Sequence, residues 1–304
     1  MAAPSFRAGP VQVRVPATSA NLGPGFDTLG IALALHNVVA VRVTDSGLSV
    51  DIAGEGADSL RRDRRNLTVK AMRATFDELG GQPRGLDVVC ANHIPAGRGL
   101  GSSSAAIVAG VCAARAVVLG GLPDEDALRI ATELEGHPDN VAACLYGGAT
   151  AAWYDAQGVP RAAQLRLGPA VHPVVFVPGS TRQSTKAARS FLPPQVTHTD
   201  AARTAGRAAL LVQALDRRPD LMLDATEDLL HQPYRLAAQP RTAALIKRLR
   251  AVGIAAVLSG SGPSVLALAI SAEQAVTAAS LAARGFTAMP LAVDHQGAVE
   301  QDAG

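Results

Sequence analysis

The sequence predicts a two-lobed protein of mixed α and β structure, and three observations carry that reading. A chain of 304 residues exceeds the size, about 250 residues, at which a single core usually stops growing. Short runs rich in β-branched residues open the chain, with a helical pattern set among them. Helical spacing dominates after about residue 200.

The elements follow in order. Residues 11–15 and 38–43 are β-branched runs, and 48–52 and 86–90 alternate or cluster similarly, so all four read as strands. Residues 66–79 place Leu67, Ala71, Ala74, Phe76 and Leu79 at helical spacing and end at Gly80 and Gly81, a glycine stop. Residues 102–119 are dominated by Ala, Val and Ile and read as a buried helix, with a second helix at 124–134 after Pro123. Strands are expected at 149–154, 171–177, 255–258 and 264–269, and helices at 200–214, 221–230 and 242–252. No internal repeat is visible, and the acidic end, 296–304, reads as a frayed tail. A lobe boundary near residues 160–170, around Gly158, Val159 and Pro160, is expected, dividing the chain into 1–165 and 166–304.

Composition removes several functions. With 48% hydrophobic and 18% charged residues the chain has ample core material. Net charge is +2 and the lysines are only Lys70, Lys186 and Lys247, so the basic stripe of a nucleic-acid binder is missing. Cys90, Cys112 and Cys144 lie far apart without zinc-ligand spacing and read as buried reduced thiols. The first nine residues lack a signal-peptide core. The longest apolar run, 105–119, is interrupted by Arg115 and is too short to span a bilayer. A cytoplasmic location with no membrane partner is expected.

The most informative segment is Pro95-Ala96-Gly97-Arg98-Gly99-Leu100-Gly101-Ser102-Ser103-Ser104-Ala105. Three alternate glycines let backbone N–H groups converge on an anion, and the helix start that follows adds unpaired N–H groups and a positive dipole end. The serines add hydroxyl donors or a metal ligand. No Lys of the Walker pattern is present, nor a βαβ unit with a ribose-binding acid. The bland alternative is a tight turn, but the triple serine and the abrupt switch to an apolar helix favour phosphate.

This segment resembles the ATP-binding motif of the GHMP kinases, the superfamily of galactokinase, homoserine kinase, mevalonate kinase and phosphomevalonate kinase. Residues 16–30, Pro-Ala-Thr-Ser-Ala-Asn-Leu-Gly-Pro-Gly-Phe-Asp-Thr-Leu-Gly, resemble its first motif in the homoserine-kinase form, and Ser259-Gly260-Ser261-Gly262-Pro263-Ser264 the third. Glu135-Gly136-His137-Pro138-Asp139-Asn140-Val141-Ala142 with Gly147-Gly148 resembles a further homoserine-kinase signature. The likeness spans residues 11–290. It implies an N-terminal lobe like ribosomal protein S5 domain 2, a ferredoxin-like C-terminal lobe, ATP and Mg2+ as cofactors, L-homoserine as acceptor, and is compatible with a homodimer.

The resemblance also implies roles. The loop from Pro95 to Ala105 would cradle ATP, and Ser103 or Ser104 with Glu133 would hold magnesium, Glu135 being the fallback. Asn66 and Leu67 resemble the segment lining the adenine pocket, although Asn66 is equally suited to be a helix cap. Homoserine carries an ammonium and a carboxylate, so its pocket needs acids and guanidiniums. Asn21, Asp27 and Asp139 would face the amino and hydroxyl end, Arg189 and Arg235 would clamp the carboxylate, and Gly262 would line the substrate site. His137 is either a hydrogen bonder in that pocket or a helix-end residue. Asn140 stands where mevalonate-type relatives carry a catalytic Asp, and an amide cannot take a proton. Positioning and electrostatics would then carry the rate, the hydroxyl proton leaving late to a phosphate oxygen or to Thr185. The rivals are another superfamily kinase with a different acceptor, an inactive metabolite sensor, and an Ala-rich interaction protein without nucleotide affinity.

Overall fold

A computed structural model describes residues 4–181, 183 and 185–301, the side chains of Thr185 and Lys186 excepted. Alternation in β1 (Val11–Ala20) turns Val11, Val13 and Val15 inward, and from Val15 onward the strand is buried on both faces. It pairs antiparallel with the long β2 (Leu29–Thr44), with an irregularity between Pro16 and Ala17. β3 (Gly47–Gly54) lies parallel to β4 (Gly85–Asn92), the crossover being α1 (Leu67–Glu78). Three helices follow: α2 (Ser102–Val117), α3 (Asp124–Glu135) and α4 (Asp139–Tyr146). α2 passes close to α1 at Gly110, where a Cβ would meet the Thr68 carbonyl. The hairpin β5 (Ala149–Tyr154) and β6 (Pro160–Leu165) joins β2 at Leu29–Ile31.

The second sheet is built from β7 (His172–Pro178), β8 (Ala255–Leu258), β9 (Val265–Ala269) and β10 (Phe286–Pro290), in the order β10-β7-β9-β8 with every pair antiparallel. Its helices are α5 (Thr185–Arg189), α6 (His198–Asp216), α7 (Met222–Ala225), α8 (Gln232–Ala237), α9 (Pro240–Ala251) and α10 (Ala272–Ser280). This strand order, with helices between β7 and β8 and between β9 and β10, is the ferredoxin-like arrangement. Alternation divides the sheet's two faces. Val174 and Phe176 pack with Leu245, Leu249 and Ala278, whereas Val175 and Val177 join the main core of the first lobe. The lobes therefore share apolar contacts. No helix among the described residues is long and apolar enough to cross a membrane.

Two expectations, the helix at 221–230 and the frayed tail, need revision. Residues 221–230 are not one helix: α7 stops at Ala225, and the Asp228 carboxylate accepts the N–H groups of Leu230, His231 and Gln232, starting α8 afresh. Gly158 and Pro160 lie in the β5–β6 hairpin, and the passage to the second sheet is 166–171. The expected frayed tail instead contains β11 (Val299–Gln301), which pairs with β1. Asp294 holds it in place: its carboxylate accepts Gln296 N at 2.9 Å and Gly297 N at 2.7 Å, and meets His36 Nε2 at 2.6 Å.

Burial alone would raise the Asp294 pKa, but the His36 and backbone hydrogen bonds outweigh it and hold the carboxyl below its ordinary value. A depressed carboxylate stabilises the fold above its unfolded-state pKa, about 4, and loses that contribution as pH falls through the lower folded value. Asp294→Asn is accordingly expected to lower the melting temperature at pH 7 and to flatten its decline below pH 4. A parallel decline in both proteins would remove this role.

Candidate active site

Gly97, Gly99 and Gly101 all take left-handed backbone, with φ of +67°, +76° and +66°, conformations that cost little only without a Cβ. The chain then enters α2 directly. Gly101 is the N-cap without a side-chain cap, and the first helical bond runs from Ala105 N to Gly101 O. The N–H groups of Ser102, Ser103 and Ser104 are thereby left without helical partners at the positive end of the helix dipole. That is an anion cradle made by backbone.

The third motif lies under the loop. Ser259 Oγ donates to Gly99 O at 2.6 Å and lies 2.8 Å from Ser19 Oγ. A Cβ at Gly99 would collide with the Ser259 carbonyl, so the loop packs on the third motif only because residue 99 is bare. Gly262 belongs to this packing: it is against Gln239 and behind the loop, and does not line the cavity as the substrate contact expected of it would. The first motif closes the third side, with Asn21 Nδ2 donating to Gly260 O at 3.0 Å and Asn21 Oδ1 accepting Asp27 N at 3.0 Å. Asn21, Leu22 and Asp27 all have positive φ, strain of the kind that collects at binding sites.

A cavity of about 470 Å³ runs between these segments. From the loop, Ala96, Gly97, Gly99, Gly101, Ser102 and Ser103 line it. Pro95, Leu100, Ser104 and Ala105 do not; Leu100 and Ala105 are core residues. Arg98 is also absent from the lining, its guanidinium donating to Gly179 O at 2.7 Å. Asn66 does both things considered for it. Its Oδ1 accepts Thr68 N at 2.9 Å as the cap of α1, and it lines the cavity beside Leu67.

At the loop's helix start, Ser103 Oγ and Ser104 Oγ both donate to Glu135 Oε1, at 2.7 and 2.9 Å. Glu133, the acid first expected there, faces elsewhere and pairs with Arg129 at 3.2 Å. Two residues along a helix rotate a side chain by roughly 200°, so only one of these acids can face the serines. Three hard oxygen donors at a phosphate cradle suit magnesium.

The opposite end is charged. Arg189 NH2 donates to Asp27 Oδ1 at 2.7 Å across 162 positions of sequence. Arg235, only 2% exposed, donates through NH1 to Gly260 O at 3.2 Å and to His231 Nδ1 at 3.3 Å, while its Nε has no partner among the described residues. Both guanidiniums sit over the Phe26 ring, at 5.5 and 5.2 Å from its centre. Burial, and then the nearby Arg189, push the Arg235 pKa down. His231 stacks on Phe26 with ring centres 5.1 Å apart and donates from Nε2 to Gly23 O at 2.8 Å. Accepting at Nδ1 and donating at Nε2 makes it the neutral tautomer, in line with burial lowering its pKa.

Between the two ends, Asp139 Oδ1 accepts Asn140 N and meets His137 Nδ1, each at 2.7 Å. Burial disfavours charge on His137, but the Asp139 carboxylate outweighs it and raises the pKa above the ordinary imidazole value. Thr18 Oγ donates to Asn140 Oδ1 at 2.7 Å. The Thr185 side chain lies outside the described residues. The fold thus gathers Asn21, Asp27, Asn66, Ser103, His137, Asp139, Asn140, Arg189 and Arg235 around one cavity. Sequence reasoning passed over Thr18, Gln183, His231 and the rim arginines Arg61 and Arg65. No local pattern marks them, and only Thr18 stood inside a quoted motif.

A glycine loop opening a helix beside Glu135, with Asp27, Asp139, Arg189 and Arg235 in the same cavity, set between an α+β lobe and a ferredoxin-like lobe, defines a small-molecule phosphotransferase. The chain belongs to the GHMP kinases: the family's N terminal domain matches residues 66–148 and its C terminal domain residues 207–284. Within that family it aligns with proteins named homoserine kinase. That of Streptomyces avermitilis is 60% identical, covering 98% of both chains, and that of Clavibacter michiganensis is 52% identical over 96% of this chain and 94% of its own. The crystal structure of homoserine kinase from Cytophaga hutchinsonii superposes with a TM-score of 0.85 at 28% identity, covering 98% of both chains.

Proposed function

We propose that the protein transfers the γ-phosphoryl group of ATP to the side-chain hydroxyl of L-homoserine, giving ADP and O-phospho-L-homoserine, a step of threonine biosynthesis. The observation that carries this reading is the placing of the Asp27–Arg189 pair and Arg235 in the cavity that the glycine loop opens into. A zwitterion is matched by that mixed charge, its carboxylate to the guanidiniums and its ammonium to Asp27 and Asp139.

The loop N–H groups and the start of α2 hold the phosphates, and Ser103 with Glu135 would hold magnesium, which when bound neutralises charge on the β- and γ-phosphates. The acceptor oxygen bonds to the γ-phosphorus as the bond to the β,γ-bridging oxygen breaks. ADP leaves with that electron pair, and the hydroxyl proton passes to an oxygen of the transferred group. Neither Asn140 nor any charged base need take it, because in a loose transition state the proton departs late. Holding the two reactants in line supplies much of the rate.

The test is magnesium-dependent ADP release from ATP with L-homoserine, mevalonate, galactose, L-serine and L-threonine at matched concentration. Turnover with homoserine alone is expected; turnover with another acceptor would keep the kinase and overturn the substrate. The acid assignment is tested separately. Glu135→Gln is expected to lower kcat roughly 100-fold and to raise the magnesium concentration needed for half-maximal rate, whereas Glu133→Gln stays within about twofold, as exposed ion pairs contribute little. Equal losses would return the role to Glu133.

A further inference from the structure

The face that Asn140 shows to the cavity is decided one layer below it. Thr18, in β1, is fully buried and does not line the cavity. It is fixed from two sides: its N–H donates to Leu100 O at 3.1 Å, and the bare Gly101 lies against its hydroxyl so closely that a Cβ there would strike Oγ. That hydroxyl donates to Asn140 Oδ1 at 2.7 Å. Asn140 is itself held in the first turn of α4, its N–H on Asp139 Oδ1 at 2.7 Å. A primary amide offers one oxygen and one NH2 group. With the oxygen occupied from beneath, the NH2 group is what remains for the cavity.

We propose that Thr18 is a positioning residue for phosphoryl transfer: by capping the Asn140 carbonyl it presents the amide N–H to the acceptor hydroxyl of the substrate. The inference rests on the kinase reading above. The N–H donates to one lone pair of the hydroxyl oxygen. The second lone pair forms the new bond to phosphorus while the bond to the bridging oxygen breaks, and the hydroxyl hydrogen is left pointing at a phosphoryl oxygen, which receives it. An inverted amide would present its carbonyl, draw that hydrogen to itself and turn the lone pairs away from phosphorus. One buried hydroxyl thus holds the amide in the orientation whose N–H faces the acceptor.

The experiment uses the full chain as Thr18→Val, Thr18→Ser, Asn140→Ala and the double variant Thr18→Val with Asn140→Ala. Valine keeps the shape of threonine without the hydroxyl. Thr18→Val is expected to lower kcat about 10- to 100-fold with KM for both substrates within about twofold, the pattern of a lost transition-state interaction. Thr18→Ser is expected to restore most of that rate. If Thr18 acts through Asn140, the double variant is no slower than Asn140→Ala by more than about twofold. A Thr18→Val enzyme of near wild-type kcat, or losses that multiply in the double variant, would overturn the proposal.

A crystal structure of Thr18→Val, at a resolution that separates amide oxygen from nitrogen, gives a readout independent of turnover. An Asn140 amide turned or spread over two orientations supports the role, and an amide left as in the wild type removes it. Should the wild-type chain leave homoserine unphosphorylated, the substrate reading fails by itself. Thr18 is then judged with the hydroxyl acceptor that does turn over and by the Asn140 orientation in that crystal.

Discussion

Replacing Gly101 with alanine is expected to reduce turnover by about 100-fold or more. The residue sits at φ +66°, where an L side chain costs roughly 1–2 kcal/mol. Its Cβ would run into Thr18 Oγ1 and come within 3.2 Å of Asn140 Oδ1. Thr18 is buried in β1 and cannot retreat, so the loop must move instead. Movement on the order of 1 Å misplaces the N–H groups facing the phosphates, and errors of that size are worth about two decades of rate. Measured together, kcat should collapse while the melting temperature falls only a few degrees. A kcat within fivefold of wild type would show that the loop tolerates the shift and that its glycines serve folding alone.

Arg235→Met is expected to lower kcat/KM for homoserine by roughly 100- to 1,000-fold, mainly through KM, without lowering the melting temperature. The two halves of that result have one cause. A guanidinium at 2% exposure with an unpartnered Nε, facing Phe26 and close to Arg189, is a cost to the empty protein. Replacing such a group with an apolar side chain of similar length is often neutral or stabilising. Its charge is compensated when a carboxylate arrives, so its loss is felt in binding. ATP affinity, set at the other end of the cavity, should stay within about twofold. Loss of stability without loss of homoserine affinity would make Arg235 a structural residue.

Much of the site was legible because its chemistry is local. Alternate glycines followed by three serines and an apolar run specify a turn and a helix within one short segment, and the structure has both. Long-range partners were a different matter. The meeting of Asp27 with Arg189, 162 positions apart, followed from resemblance and not from any periodicity. Of the two acids weighed for magnesium, it is Glu135 that meets the serines: the segment ends in the Gly136 left-handed cap, and a slip of two residues reverses the helix face. Residues 272–280 and 286–290 passed unread because an alanine-rich helix and a short half-exposed strand carry weak patterns. Thr18 was quoted only as a letter of a motif, since nothing in sequence says which amide a buried hydroxyl will reach.

The pairing of β11 with β1 has a bearing on how the protein is made. Arg14 is opposite Val299, so β1 completes its hydrogen bonding only when a strand far along the chain has been made. At roughly 5–20 residues per second, β1 and β2 wait on the order of tens of seconds with one flank open, a flank that invites pairing with other nascent chains. The glycine loop emerges early, yet its supporting segment at Ser259–Ser264 and the His36–Asp294 clasp come much later in translation. Binding competence therefore waits until Asp294 has been made, and until then the first lobe is an unfinished sheet.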